Sequence, residues 1–325
     1  MSRGIGQVVV VGSLNVDHVW TAASLPHAGQ TLSGEYTTSL GGKGFNQAVA
    51  ARRAGAASTF ICALGDDAGG QLARESAITD GIDLRAQRSL RPTGTAGIHV
   101  DREGRNCIVI GAGANADLSA SFVDGQRAAI AAADILLAQL ESPAETILAA
   151  LRHARHAATT TLLNPAPADA VVDAELLAAT DILTPNETEF SALLACHLGQ
   201  RIHGDAIATL DPETLHGLCR GLLPAGSMIV TLGANGCFVS HASSQLHGDD
   251  HGYYRVAANQ VDAIDTTGAG DAFNGALAAS RAGRREAEFS THVRFASRYA
   301  ALSTESRGAA MSMPALQDVL DRFND

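Results

Sequence analysis

The run Gln7-Val8-Val9-Val10-Val11 constrains the fold of this chain more than any other stretch. Its β-branched residues favour a strand, and with no polar residue at alternate positions neither face suits water. Such a strand belongs in the middle of a sheet that is covered on both sides. It ends at Gly12 and opens into the polar Ser13-Leu14-Asn15-Val16-Asp17. Strand and helix patterns then alternate. Strands are predicted at 58–64, 135–139, 160–163, 181–183 and 228–232, and helices at 47–55, 69–79, 143–156 and 186–194. This alternation predicts an α/β fold with three layers: a mainly parallel sheet flanked by helices. Apolar residues make up 46% of the chain and aromatics only 4%, so the core must be built of Ala, Val, Leu and Ile.

Two stretches break the alternation. Residues 19–40 and 94–110 read as strands without helices, and we place them together as a small sheet over the main body. The 325 residues are expected to form one domain. The net charge of −11, with no basic run, argues against nucleic acid or an anionic membrane as partner. Cys62, Cys107, Cys196, Cys219 and Cys237 lie far apart with no Cys-x-x-Cys, which points to reduced thiols. No apolar signal region precedes the first strand and no apolar run approaches membrane-spanning length, so a cytoplasmic protein is expected.

The chemistry centres on Asp265-Thr266-Thr267-Gly268-Ala269-Gly270-Asp271-Ala272-Phe273. An apolar strand end (Val261, Ile264) is predicted to run through a small-residue turn directly into a helix. Free N–H groups at a helix start form an anion site. A carboxylate in that first turn, Asp271, suits a hydroxyl that is about to lose its proton and attack a phosphate. The pattern reads as a phosphotransferase.

Other loops offer ligands, each with a plainer alternative. Gly41-Gly42-Lys43-Gly44-Phe45-Asn46 leads into a helix and lacks the spacing of a P-loop. It presents donors for a polyol, or else it is a helix-starting turn with a solvated Lys43. Asn15 and Asp17 alternate at a strand end and share a face, which suits hydroxyl recognition or turn capping. Glu141 follows a strand and could equally serve the next helix's N-terminus. Asn186, Glu187 and Glu189 lie within one turn, as a water-mediated Mg²⁺ site or as acids answering the helix dipole. Thr231-Leu232-Gly233-Ala234-Asn235-Gly236 reads as a hairpin that could pass beneath a nucleotide. His241, His247 and His251 read as solvated loop residues. The Gly111-x-Gly113-x-x-Ala116 pattern is set aside as a dinucleotide motif because no helix clearly starts there.

Taken in order, these motifs resemble the ribokinase-like (PfkB) sugar kinases over nearly the full chain. The quoted segments are Gly12-Ser-Leu-Asn15-Val-Asp17, Gly41-Gly-Lys-Gly-x-Asn46-Gln-Ala, Asn164-Pro-Ala-Pro, Thr184-Pro-Asn-Glu-Thr-Glu189, Thr231-Leu-Gly and Asp265-Thr-Thr-Gly-Ala-Gly-Asp271-Ala-Phe. The resemblance implies ATP-dependent phosphorylation of the 5-hydroxyl of D-ribose. The alternative is another small polyol, such as deoxyribose or a nucleoside; a non-catalytic sugar-binding regulator is the reading from another class. Asn15, Asp17, Gly42, Lys43, Asn46 and Glu141 would hold the sugar, and Asp271 would be the general base. The amides of Gly268, Ala269 and Gly270 would stabilise the transferring phosphoryl group. Asn186 and Glu189 would organise Mg²⁺, while Thr231, Gly233 and Gly236 would line the nucleotide site. A K⁺ site would draw on Asp265, Thr267, Ser303, Ser306, Gly308 and Ser312. The small sheet, within about 13–40 and 94–114, would be a lid and the contact of a homodimer. Two positions depart from the family pattern. Phe45 would put a ring beside the sugar, and Ser297-Arg298-Tyr299 would alter the contacts around adenine.

Overall fold

The computed structural model describes residues 5–323. In chain order the strands are β1 (Gln7–Val11), β2 (Asn15–Ala22), β3 (Gly34–Gly41), β4 (Ala57–Leu64), β5 (Asp83–Arg88), β6 (Gly94–Val100) and β7 (Asn106–Gly111). They continue with β8 (Ile135–Ala138), β9 (Thr160–Leu163), β10 (Ile182–Leu183), β11 (Ser227–Thr231), β12 (Cys237–Ser240) and β13 (Tyr253–Val256). Nine of them form one sheet in the order β13-β12-β11-β10-β9-β8-β1-β4-β5. Its pairings are parallel apart from the antiparallel β11–β12 and β12–β13 pairs.

β1 lies inside this sheet between β4 and β8, as its uniform apolar run requires. Val8 and Val10 enter one core, and Val9 and Val11 enter the other. The first core packs the Lys43–Arg53, Ala269–Gly283 and Phe289–Ser303 helices on the sheet. The second packs Ala144–His156, Glu187–Leu198 and Pro212–Leu222 on the opposite face. β5 is not among the predicted strands: in the edge strand Asp-Leu-Arg-Ala-Gln-Arg only Leu84 and Ala86 are apolar and pack on the first core.

The two stretches without helices form a separate four-stranded sheet in the order β3-β2-β6-β7. Each excursion leaves and re-enters the main body at the same place. Asn15 pairs with Gly41 across β2–β3 and with Gly94 across β2–β6.

Three local expectations are corrected. Residues 257–268 contain no strand; the Ile264 and Asp265 amides instead donate to Thr304 O just past a helix end, at 2.7 and 3.1 Å. His241 and His247 are not solvated. His241 is buried against Ser227 and Asp249, and His247 stacks on Phe289. Phe45 is not a ring presented by the 41–46 loop: it is 1% exposed and packs on Phe60 in the first core. It is the third residue of the Lys43–Arg53 helix, and that helical start turns its ring inward among buried neighbours.

Candidate active site

The carboxyl ends of the parallel strands and the base of the small sheet meet at one place, where an open α/β sheet offers a crevice. Gly42 brings the second loop there. It has φ 86°, and a Cβ would lie 2.7 Å from the Asn15 amide nitrogen, so only glycine lets the two segments pass. The helix that follows begins at Lys43, earlier than the sequence pattern suggests.

Glu141 gathers these segments. Its Oε2 accepts from Ser13 Oγ at 2.6 Å and from the Lys43 amide at 3.1 Å. It therefore bridges loops rather than serving the following helix. Asp17 sits at the start of β2, on the same strand face as Asn15. Burial, together with the charge of Glu141, pushes the Asp17 carboxyl up to about 6. Burial alone would lower the Lys43 ammonium, but the carboxylates of Asp271, Glu141 and Glu189 outweigh it and hold it above its ordinary value. Lys43 is thus no freely solvated side chain.

Asp271 lies in the first turn of the Ala269–Gly283 helix and is 6% exposed. Asn46 Nδ2 donates to its Oδ2 and Gln47 Nε2 to its Oδ1, each at 2.9 Å. Burial raises the Asp271 carboxyl above the ordinary range; Lys43, Asn46 and Gln47 oppose the rise, and Glu141 adds to it. Asn46 Oδ1 is buried and has no hydrogen-bond partner among the described residues. A buried acceptor left open beside a carboxylate suits a ligand hydroxyl.

The helix bearing Asp271 starts at Gly268, which has φ 76°. The Ala269 amide donates to Thr266 O at 3.2 Å, so part of its capacity is used within the turn. Asn274 Nδ2 donates to Gly270 O at 2.8 Å. Asp265 joins two segments: Oδ1 accepts from the Thr267 amide and Oδ2 from the Gly308 amide, both at 2.9 Å. Burial works against the Asp265 charge, but those amides hold its carboxyl below the usual range. Ser306 N reaches Ser303 O at 3.3 Å. The Ser303 and Ser312 hydroxyls donate to Ala300 O and Ala309 O.

Asn186 and Glu189 form a capping box at the Glu187–Leu198 helix. Glu189 is buried, with one oxygen on the Asn186 amide at 2.9 Å and the other on Asn186 Nδ2 at 3.0 Å. Burial raises the Glu189 carboxyl, opposed by the Asn186 amide and Lys43. Thr231 is bridged to Asn186, and its amide donates to Pro185 O at 2.9 Å. Gly233 and Gly236 bound the short turn between β11 and β12, and Gly236 lies against Val256 and Ala258. Ser297 accepts from Asn259 Nδ2 at 3.2 Å. No group of three or more His, Cys, Asp or Glu among the described residues is arranged as a metal site.

Two residues here were not singled out by sequence reasoning. Gln47 directly follows Asn46, and only the packing of two helices shows that it reaches Asp271. Asn115 lies in the segment set aside as a false dinucleotide motif, which forms a 3-10 helix at Gly113–Asp117. Its Oδ1 accepts from the Leu14 amide at 2.9 Å; its Nδ2 donates to Leu14 O at 3.0 Å and to Asn15 Oδ1 at 2.8 Å.

Comparison with known proteins agrees with this geometry. The sequence profile of the pfkB family carbohydrate kinases matches residues 6–316. The chain belongs to the PfkB family. Among its relatives, the ribokinase of Haemophilus influenzae is 37% identical over 317 residues, covering 97% of each chain. The crystal structure of a Thermotoga maritima ribokinase superposes with a TM-score of 0.84 at 31% identity, covering 99% of this chain and 100% of that one. The Arabidopsis thaliana ribokinase complexed with ribose and ATP superposes with a TM-score of 0.83 at 29% identity, covering 98% of each. The α/β architecture with its separate small sheet is that of this PfkB group. No helix among the described residues is long and apolar enough to cross a membrane.

Asp17 carries a testable linkage. An unfolded Asp ionises near pH 3.9 and the folded Asp17 near 6, so between those values the unfolded state binds fewer protons and stability falls as pH rises. Above pH 6 the full cost is present. Asp17→Asn removes it, and thermal unfolding at pH 7 should show a gain of about 1–2 kcal/mol that vanishes near pH 4. A destabilised variant at pH 7 would contradict this.

Proposed function

We propose that this chain transfers the terminal phosphoryl group of ATP to the 5-hydroxyl of D-ribose, giving ribose 5-phosphate. The observation that carries the reading is Asp271. It is buried and aimed by Asn46 and Gln47 beside the open Asn46 Oδ1, at a helix start of Gly268-Ala269-Gly270. The full-length likeness to ribokinases supplies the substrate class.

Asn15, Asp17, Gly42, Lys43, Asn46 and Glu141 bind the sugar. Carboxylates accept from its hydroxyls, and amides both donate and accept. Asp271 takes the proton of the attacking hydroxyl. The amides of Gly268, Ala269 and Gly270 meet the charge on the phosphoryl oxygens, and Thr231, Gly233 and Gly236 line the nucleotide. Positioning and charge stabilisation dominate such transfers. The small sheet acts as a lid that excludes water from the phosphoryl group.

Glu189 and Asn186 fit a magnesium site reached through water, because each Glu189 oxygen has only one protein hydrogen bond and retains acceptor capacity. When bound, Mg²⁺ supplies positive charge at the phosphates. The segments joined by Asp265 fit a weakly hydrated monovalent cation, which takes carbonyl and carboxylate oxygens. Asp265, Thr267, Ser303, Ser306, Gly308 and Ser312 would hold it. Activity should therefore rise in K⁺ over choline, and Asp265→Ala should abolish the difference; equal rates in both salts would remove the ion site.

A homodimer through the small sheet is part of the proposal. Val19, Ile98, Ile108 and Ile110 lie on one face of it by cross-strand pairing, and Ile108 and Ile110 are about half exposed at 49% and 55%. The reaction is tested by ATP turnover against pentoses, deoxyribose, hexoses and nucleosides. D-Ribose should give the highest kcat/KM. A better nucleoside or deoxyribose would move the substrate, and sugar binding without turnover would leave a regulator. Phe45, buried in the core, provides no ring for a nucleobase to stack on.

A further inference from the structure

Gln47 is completely buried and lies behind the Asp271 carboxylate, on the oxygen that Asn46 does not contact. Two helices bring it there. Gly275 lies one turn after Asp271 on the same helix face, and a Cβ on it would come within 2.5 Å of Ala50 Cβ and 2.6 Å of Gln47 O. That bare glycine lets the Ala269–Gly283 helix lie directly on the Lys43–Arg53 helix. Asp271 and Gln47 then face each other across the contact.

The orientation of the Gln47 amide is set from outside the site. Asn164 Nδ2 donates to Thr184 O at 3.0 Å, which leaves Asn164 Oδ1 facing Gln47. Gln47 Nε2 donates to that oxygen at 3.3 Å and to Asp271 Oδ1 at 2.9 Å. Its Oε1 accepts from Gln139 Nε2 at 2.5 Å. Both amide hydrogens and the oxygen are committed. A flipped amide would present oxygen to two acceptors at once. The chain continues to the other side of the helix start: Thr184 Oγ1 donates to Asn274 Oδ1 at 2.5 Å, and Asn274 Nδ2 holds Gly270 O. Strand ends β8, β9 and β10 thus grip the turn that carries the base.

We propose that Gln47, oriented by Asn164 and Gln139, is the positioning residue that aims the Asp271 carboxylate at the sugar hydroxyl. This rests on the assignment of Asp271 as base. Gln47 lies behind that carboxylate and acts through it. The other groups around the carboxylate are Asn46 and Lys43 from the same loop, Glu141 past β8 and Glu189 across the crevice.

The test compares Gln47→Leu, Gln47→Glu and Asp271→Asn. Gln47→Leu removes the donor, so kcat should fall about 10- to 100-fold while the sugar KM stays within about threefold. Gln47→Glu keeps the shape but places a second carboxylate against the first. The acid limb of the kcat/KM profile should then move to higher pH from wild type to Leu to Glu. A merely structural role would lower thermal stability without ordering the limbs. If Gln47→Leu does not fold, the isosteric Gln47→Glu decides by its limb alone. An inactive Asp271→Asn beside a Gln47 variant with normal kcat and an unmoved limb would overturn the proposal. An active Asp271→Asn would overturn the base assignment itself.

Discussion

Asp271→Asn should leave the sugar bound and remove most of the turnover. The substitution is isosteric, and the residue stays inside the same contact of two helices. What changes is the group proposed to receive the hydroxyl proton. An amide cannot take it, and a positioned base is worth about 10²- to 10⁴-fold. The new Nδ2 would also face either Asn46 Nδ2 or Gln47 Nε2, so one existing hydrogen bond is lost. Sugar affinity should fall only modestly, because Asn15, Asp17, Lys43 and Glu141 are untouched. Calorimetric sugar titration beside steady-state kinetics separates the two effects. A kcat within about tenfold of wild type would assign the proton to another group.

Gly268→Val should be the other severe lesion, through the backbone. Gly268 has φ 76°, and a Cβ there would sit 3.1 Å from both Ala309 Cα and Cβ. A β-branched residue resists that conformation and presses on the segment that carries Gly308 and Ser312. The amides that begin the helix would turn away from the phosphoryl group, and the partner segment of Asp265 would shift with them. Loss of one such donor costs about 10²- to 10³-fold in kcat. Thermal stability should drop as well, by about 1–3 kcal/mol for the strained residue. Sugar binding, proposed for Asn15, Asp17, Lys43 and Glu141, should stay within about threefold of wild type. A variant with normal kcat would show that the helix start does not face the reacting phosphate.

Much of this was legible in the sequence because the decisive signals are local. The uniform run of β1 announces a strand buried on both faces, and the glycines before Asp271 announce a helix start with special backbone angles. The stretches without helices likewise mark a separate sheet. What escaped depends on distant packing. Gln47 reads as an ordinary helix residue until another helix, over two hundred positions later, lies on it. Asn115 sits in a glycine pattern that suggests a different ligand. Phe45 shows the opposite limit: its place in a binding loop suggests a pocket residue, but the helix starting at Lys43 turns its ring into the core. His241 and His247 escaped for the same reason, since a loop that looks open in sequence is closed over them by Phe289 and Asp249, whereas His251 is exposed as expected.

Asn115 gives the small sheet a fulcrum. It clamps Leu14 and Asn15 at the root of β2, beside the paired starts and ends of the other strands. From there the strands run out as a lever: the eight residues of β2 reach about 26 Å at roughly 3.3 Å per residue. A tilt of about 20° at the root therefore sweeps the far end through roughly 9 Å. Asn15 touches the clamp directly, so under such a tilt it would hardly move, and the contact proposed for it with the sugar would keep its geometry.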